Sequence, residues 1–119
     1  MRALFSIVLC VAAPNLSHAQ ELPPLLPKDV KMQVAGQPQD YYPRAAQQAG
    51  IGGGATVLCM IDPRGRLREC AVQAEEPEGR GFGDAAVSAM RTIRIEPSAK
   101  DGSPTAGRRF MMKMHFGIQ

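Results

Sequence analysis

Apolar and polar residues alternate along two neighbouring stretches in the middle of the chain, and a turn sequence separates them. The first stretch places its apolar residues at every second position, as a strand with one buried face does: Ala55, Val57, Cys59 and Ile61. Asp62-Pro63-Arg64-Gly65 has Asp, Pro and Gly where a type I turn prefers them, and Gly65 can close a three-residue loop. The pattern predicts a β-hairpin in which Ile61 lies opposite Leu67.

The register of this hairpin requires one extra residue in its second strand. Strict pairing from the turn would set Cys59 against Glu69 and leave Cys70 on the polar face. A β-bulge at Arg68-Glu69 restores the apolar face. It predicts three cross-strand pairs: Cys59 with Cys70, Val57 with Val72, and Ala55 with Ala74. Residues paired in this way have Cα atoms about 4.5–5.5 Å apart, a separation that a disulfide can bridge.

Two helices and a last strand flank the hairpin. Pro43 to Ala49 has Pro at its first helical position and Gly50 as its stop, which predicts a short helix. A second helix is predicted from Phe82 or Gly83 to Ile93 by an apolar stripe with three- and four-residue spacing: Phe82, Ala86, Ala89, Met90 and Ile93.

The C-terminal segment alternates again. One face of the predicted strand is apolar: Phe110, Met112, Met114, Phe116 and Ile118. The other face carries Arg109, Met111, Lys113 and His115. The order helix, strand, strand, helix, strand, with one apolar face per strand, predicts a two-layer α+β sandwich with two helices on a three-stranded antiparallel sheet.

The N-terminus has the pattern of a secretory signal peptide, residues 1–19. Met1-Arg2 is a positive start, Ala3 to Ala13 is an apolar run, and Ser17-His18-Ala19 is a small-x-small cleavage site. The apolar run is shorter than the roughly 20 residues that cross a bilayer, although an uncleaved membrane anchor is the alternative. A lipid anchor on Cys10 is a further alternative, but Leu9 is bulky where such signals have a small residue.

Cleavage after Ala19 leaves 100 of the 119 residues, enough for one domain with a modest core. The formal charge is then +2, because the signal carries one of the 14 basic residues and none of the 11 acidic ones. That charge, without a Lys/Arg block, argues against a nucleic-acid partner. Residues 20–41 hold Pro23, Pro24, Pro27 and Pro38 and are predicted to be a tether, in which Val30 to Val34 can add a short strand. Residues 42–119 form the predicted domain.

The reactive residues are few. Cleavage removes Cys10, so Cys59 and Cys70 remain, and two cysteines in an exported chain favour one disulfide over two buried free thiols. His115 stands alone after His18 leaves with the signal, so we expect neither a catalytic set nor a metal site, and no cofactor. Glu75, Glu76 and Glu78 are interpreted as an acidic, solvated loop. The sequence therefore predicts a protein that is not an enzyme.

The predicted sheet leaves its C-terminal strand at an edge, where unpaired backbone groups can recruit another extended chain. Arg109, Lys113 and His115 fit either of two roles there: charges that protect the edge, or contacts that select a partner.

The chain resembles the C-terminal domain of the energy-transducing TonB family. The resemblance rests on "YPRAAQQAGIGGGATVLCMIDPRGRLRECAV", on "GFGDAAVSAMRTIRIEPSAKDGSP" and on the terminal "FMMKMHF", and it covers about Tyr42 to Ile118. Its matching elements are Tyr42-Pro43, the glycine-rich approach to the first strand, Asp62-Pro63-x-Gly65, the Asp-Ala-Ala helix, Pro97, Asp101-Gly102 and the strand that ends in Phe116. Some cysteine-bearing members share the two-cysteine hairpin.

The resemblance implies a periplasmic domain that pairs its last strand with extended TonB boxes of outer-membrane receptors and serves TonB-dependent transport. Carried over to this chain, the pairing segment is Arg109 to Phe116, with partner contacts at Arg109, Met111, Lys113, His115 and Phe116. Tyr42 and Pro43 become the entry to the domain. Transducers of the family retain an uncleaved N-terminal helix and a long proline-rich arm, whereas this chain has a cleavable segment and a short tether.

Three hypotheses follow. The first is a stand-alone exported domain in the periplasm that binds receptor segments. The second is a minimal transducer, anchored in the inner membrane by an uncleaved signal and coupled to an ExbB/ExbD-type motor. The third is a structural or accessory protein that pairs with itself as a homodimer through its edge strand.

Overall fold

The computed structural model describes residues 22–117. The predicted signal peptide and Ile118 lie outside these residues. The strands are β1 (Met32–Val34), β2 (Gly53–Ile61), β3 (Leu67–Glu76), β4 (Ile93–Ile95) and β5 (Arg109–Phe116), and the α-helices are α1 (Arg44–Gln48) and α2 (Phe82–Met90). Single 3-10 turns occupy Pro27–Asp29 and Pro38–Tyr41.

The main sheet has three antiparallel strands in the order β3-β2-β5, so the central strand is the first arm of the hairpin. The predicted apolar residues of β2 are all buried on the face that α2 covers: Ala55, Val57, Cys59 and Ile61. In β5, Phe110, Met114 and Phe116 are buried beside them. This arrangement confirms the predicted α+β sandwich and places the C-terminal strand at an edge.

The turn at Asp62 forms as the sequence predicts. Ile61 pairs with Leu67, and Gly65 adopts a left-handed φ of +80°. The Asp62 carboxylate accepts hydrogen bonds from the backbone N–H groups of Arg66 (2.8 Å) and Arg64 (2.9 Å) and from Nε of Arg68 (3.1 Å). The Arg66 N–H holds the pKa of Asp62 below its ordinary value of 3.8. Desolvation opposes it with the next-largest effect, and the bonds from Arg68 and Arg64 add to the lowering.

The predicted bulge and disulfide are both present. Met60 pairs with Arg68 and Leu58 with Ala71, so β3 has one more residue than β2 between these pairs. Glu69 takes the strain of the extra residue with a φ of +52°. Cys59 and Cys70 form a disulfide with Cα atoms 4.1 Å apart. The predicted Cys59–Cys70 disulfide and the predicted bulge are therefore confirmed.

The hairpin departs from the predicted register beyond Val72. Val57 pairs with Val72 as expected, but Ala74 pairs with Thr56, and Ala55 faces Glu75. The predicted pair of Ala55 with Ala74 is wrong, because a second irregularity between Thr56 and Val57 shifts the register again. Ala74 consequently lies on the exposed face of the sheet.

Helix α2 ends at Met90, three residues before the predicted end. The side chain and the backbone N–H of Thr92 both donate to the carbonyl oxygen of Ala89, at 2.7 and 3.1 Å, and the chain then leaves the helix. Ile93 and Ile95 are buried and Arg94 is exposed, which is the period of a strand. Ile93 therefore fits the helical spacing but is the first residue of β4. The prediction that the helix reaches Ile93 is wrong.

A second sheet of two strands joins β1 to β4, with Met32 opposite Ile95 and Val34 opposite Ile93. The sequence indicated β1 but not its partner. Residues 22–41 do not extend away from the domain as a tether would, because Leu25 and Val30 are buried in the core and the N–H of Lys100 donates to the carbonyl oxygen of Asp29 at 2.9 Å. Within residues 22–117, no helix is long and apolar enough to span a bilayer.

Candidate edge-strand binding site

The outer edge of β5 is the predicted binding site, and its backbone groups alternate between the two edges of the strand. Strand β2 occupies the inner edge over its full length. The carbonyl group of Arg109 and the N–H group of Met111 point outward, as their hydrogen bonds with Leu25 show. Because an antiparallel strand repeats this orientation at every second residue, Lys113 and His115 also face outward.

An extended segment of the same chain already lies on half of this edge. The N–H of Leu25 donates to the carbonyl oxygen of Arg109 at 2.8 Å, and the N–H of Met111 donates to the carbonyl oxygen of Leu25 at 2.9 Å. The two guanidinium groups extend the contact: Arg108 donates to the carbonyl oxygen of Pro23 (3.1 Å) and Arg109 to that of Leu22 (2.6 Å). We call residues 22–26 the N-terminal arm.

The five predicted partner contacts have different surroundings. Lys113 and His115 are exposed, whereas Met111 and Arg109 are partly buried and in contact with the arm. The side chain of Phe116 is fully buried. It points into the core rather than towards the outer edge.

Tyr42 and Pro43 lie beneath the same end of the sheet. The Tyr42 ring packs edge-on against Phe82 and Phe116, with centroids 6.0 and 5.7 Å apart, and its hydroxyl donates to the carbonyl oxygen of Ile51. Pro43 is the residue before α1, and its carbonyl oxygen accepts the first hydrogen bond of that helix from Gln47. The entry to the domain is therefore part of its core.

A shallow cleft of about 500 Å³ adjoins the exposed half of β5. Lys113 and His115 line one side, Glu75 and Glu76 line another, and Gly54 forms part of the floor. A Cβ at Gly54 would collide with the carbonyl oxygen of Met114, so the close approach of β2 and β5 here requires glycine. The cleft presents charges of both signs beside the exposed stretch of the strand.

The described residues contain no group of three or more His, Cys, Asp or Glu side chains that is placed to hold a metal ion. A separate cleft of about 560 Å³ between β4, β1 and the start of β3 is lined by Arg66, Arg68, Arg91 and Arg94. It contains none of the predicted site residues.

Sequence reasoning missed the arm. Leu25 is one apolar residue inside a proline-rich stretch, and no sequence pattern indicates that it is buried to 7% exposure or that its backbone bonds to β5. Arg108 was missed for the same reason, because its partner is a backbone carbonyl 85 residues away. Such contacts leave no periodic pattern in the sequence.

The family model for the C-terminal domain of the Gram-negative bacterial TonB protein matches residues 38–118. The chain belongs to this family. The match begins near the 3-10 turn at Pro38–Tyr41 and extends through β5, so it contains α1, the hairpin, α2 and the edge strand.

One solved structure agrees with this assignment, and a second agrees with the fold. The solution NMR structure of the Pseudomonas aeruginosa TonB C-terminal domain is 32% identical, with a TM-score of 0.60 over 76% of this chain and 88% of that one. The TonB2 protein of Vibrio anguillarum shares the fold at 24% identity, with a TM-score of 0.51 over 66% of this chain and 73% of that chain.

A protein from Caulobacter vibrioides (strain ATCC 19089 / CIP 103742 / CB 15), described as an uncharacterized protein, is 29% identical over 65 residues. The aligned region is 55% of this chain and 65% of that relative.

Proposed function

We propose that this TonB-family domain binds extended segments of outer-membrane TonB-dependent receptors by adding them as a strand to the outer edge of β5. One observation carries the proposal: this edge forms main-chain hydrogen bonds with an extended segment, since Leu25 bonds to both Arg109 and Met111. An edge that accepts one strand has the geometry to accept another. In this proposal the domain acts in the periplasm and serves TonB-dependent transport.

The exposed stretch around Lys113 and His115 is where a partner strand makes its first contacts. Both residues direct their backbone donors and acceptors outward, and the cleft with Glu75 and Glu76 lies beside them. Main-chain pairing supplies affinity, while the charged side chains on the exposed face select among partner sequences.

A proline in place of Lys113 tests main-chain pairing. Lys113→Pro removes an outward N–H that makes no bond within the sheet, and edge strands tolerate proline at such a position. We expect Lys113→Pro to weaken binding by about tenfold or more, since one hydrogen bond and the continuity of pairing are lost. The measurement is calorimetric titration with synthetic peptides that carry the N-terminal segments of the receptors encoded in the same genome.

Lys113→Ala is the matched control, because it removes the charge and keeps the N–H. We expect it to retain most of the affinity and to lower the salt dependence of binding. Equal affinities for wild type, Lys113→Pro and Lys113→Ala would contradict strand addition at this edge. Failure of every receptor peptide to bind would contradict the choice of partner.

The N-terminus of the native protein decides between a free domain and an anchored one. We expect an intact mass that begins at Gln20 when the protein is recovered from the cell envelope, because residues 17–19 form a small-x-small cleavage site. A mass that retains Met1, together with fractionation in the inner membrane, would favour the minimal transducer coupled to an ExbB/ExbD-type motor. A native mass that doubles with concentration would favour self-pairing.

A further inference from the structure

The N-terminal arm occupies the backbone groups that an added strand needs. The outward carbonyl of Arg109 and the outward N–H of Met111 are both bonded to Leu25. Along β5, the arm therefore leaves Lys113 and His115 as the outward-facing residues that it does not bond, a stretch of about four residues including their neighbours. A longer partner strand meets the arm at Met111.

The arm is held unevenly along its length. Its downstream end is fixed, because the N–H of Leu26 donates to Oδ2 of Asp29 at 3.0 Å and the carbonyl oxygen of Asp29 accepts a bond from the N–H of Lys100. Its upstream end is exposed, with Leu22 at 45%, and its bonds are those from two arginine side chains to backbone carbonyls. Leu25, at 7% exposure, is the apolar anchor between these ends.

Proline limits how far the arm can pair. Pro23, Pro24 and Pro27 have no N–H to donate to β5. The pairing therefore remains a single parallel bridge between Leu25 and Phe110, whereas an incoming strand without prolines can form a continuous ladder. An occupant with one bridge can be displaced by a partner that forms several.

We propose that the arm is an intrachain competitor that covers half of the partner-binding edge, and that a partner strand binds fully only after residues 22–25 detach from β5. This inference rests on the proposed function for its partner, but the competition itself is a property of this chain. Apparent affinity is reduced by the fraction of molecules in which the arm is bound. The downstream turn at Pro27–Asp29 keeps the detached arm near the edge.

The test compares three variants of the full chain. Leu25→Pro removes the N–H that bonds to Arg109, and Leu25→Ala removes the buried anchor with less disturbance of the backbone. Leu22→Ala is the matched control, because it makes the same truncation on the same arm at an exposed side chain. The backbone carbonyl of residue 22 can still accept the hydrogen bond from Arg109.

Amide hydrogen exchange measures directly whether the arm is bonded to β5. We expect Leu25→Pro and Leu25→Ala to accelerate exchange at Met111 by about tenfold or more, while Phe110 and Met112, which bond towards β2, retain their protection. Protection at these two residues also reports that the sheet is folded. Unchanged exchange at Met111 in both variants would overturn the proposal.

The affinity for receptor peptides measures the competition between the arm and a partner strand. We expect both Leu25 variants to bind the receptor peptides about tenfold more tightly than wild type and Leu22→Ala, since they no longer compete with their own arm. For a receptor peptide that binds the wild type, accelerated exchange at Met111 without a gain in affinity would also overturn the proposal.

A synthetic peptide of residues 22–31 (LPPLLPKDVK) separates this inference from the proposed function. If no receptor peptide binds any form, the choice of partner fails and the arm peptide alone decides. Chemical-shift changes along β5 in Leu25→Pro that are absent in wild type would support competition. No response in either protein, or an equal response to the same peptide with Leu25→Asp, would overturn it.

Discussion

Reduction of the Cys59–Cys70 disulfide is expected to lower the stability of the domain by about 3 kcal/mol, because the bridge closes a loop of about a dozen residues in the unfolded chain. A domain of this size has a total stability of roughly 5–15 kcal/mol, so the loss is a large share of it. We expect the midpoint of thermal unfolding to fall by about 10 °C or more.

The measurement is thermal unfolding followed by circular dichroism, with and without a thiol reductant. The matched control is the double variant Cys59→Ala with Cys70→Ala, which has no bridge to reduce and is expected to unfold at one temperature in both conditions. Its midpoint is expected to lie near that of the reduced wild type, and any further decrease measures the sulfur contacts of Cys59, which is 1% exposed. Two thiols that alkylate in the non-reduced native protein would contradict the staple.

Phe116→Ala is expected to lower the free energy of unfolding by about 3–5 kcal/mol, since it deletes a fully buried aromatic ring from the core. The ring packs edge-on against Tyr42 at 5.7 Å and tilted against Phe82 at 5.8 Å. Its removal leaves a cavity that connects β5, α2 and the domain entry. Urea unfolding with an unchanged m-value measures the loss.

His115→Ala is the control for this prediction, because it truncates the neighbouring side chain on the exposed face of the same strand. We expect His115→Ala to change stability by no more than about 0.5 kcal/mol. Equal costs for the two variants would contradict the placement of Phe116 in the core. A loss of partner binding in Phe116→Ala would not by itself indicate a direct contact, since the side chain is fully buried.

The hairpin shows how far local pattern carries. Three local features were enough to predict the turn, the first bulge and the disulfide. They are the alternation in residues 55–61, the Asp-Pro-x-Gly turn, and two cysteines that face each other only if the second strand has one extra residue. These features depend on residues close in sequence, where one slip of register moves every side chain to the wrong face. The second irregularity near Val72 was not predictable in this way. Beyond Val72 the strand lies at an edge and is largely exposed, so its pattern constrains the register weakly.

The end of α2 and the position of β4 show where local pattern fails. Ile93 satisfies the helical stripe and also the alternation of Ile93-Arg94-Ile95. Pairing with β1 decides between the two, and that partner is about 60 residues away. Ambiguity of this kind is resolved only by a long-range contact.

The two-layer sandwich, the apolar faces of β2 and β5, and the Cys59–Cys70 disulfide could all be predicted from the sequence, because each follows from periodicity or from the chemistry of residues close together in the chain. The pairing of β1 with β4 and the contact of Leu25 with half of the edge of β5 became evident only in the three-dimensional structure. Those outcomes depend on backbone hydrogen bonds between distant segments. Backbone donors and acceptors are alike in every residue but proline, so the amino-acid pattern does not record which of them meet.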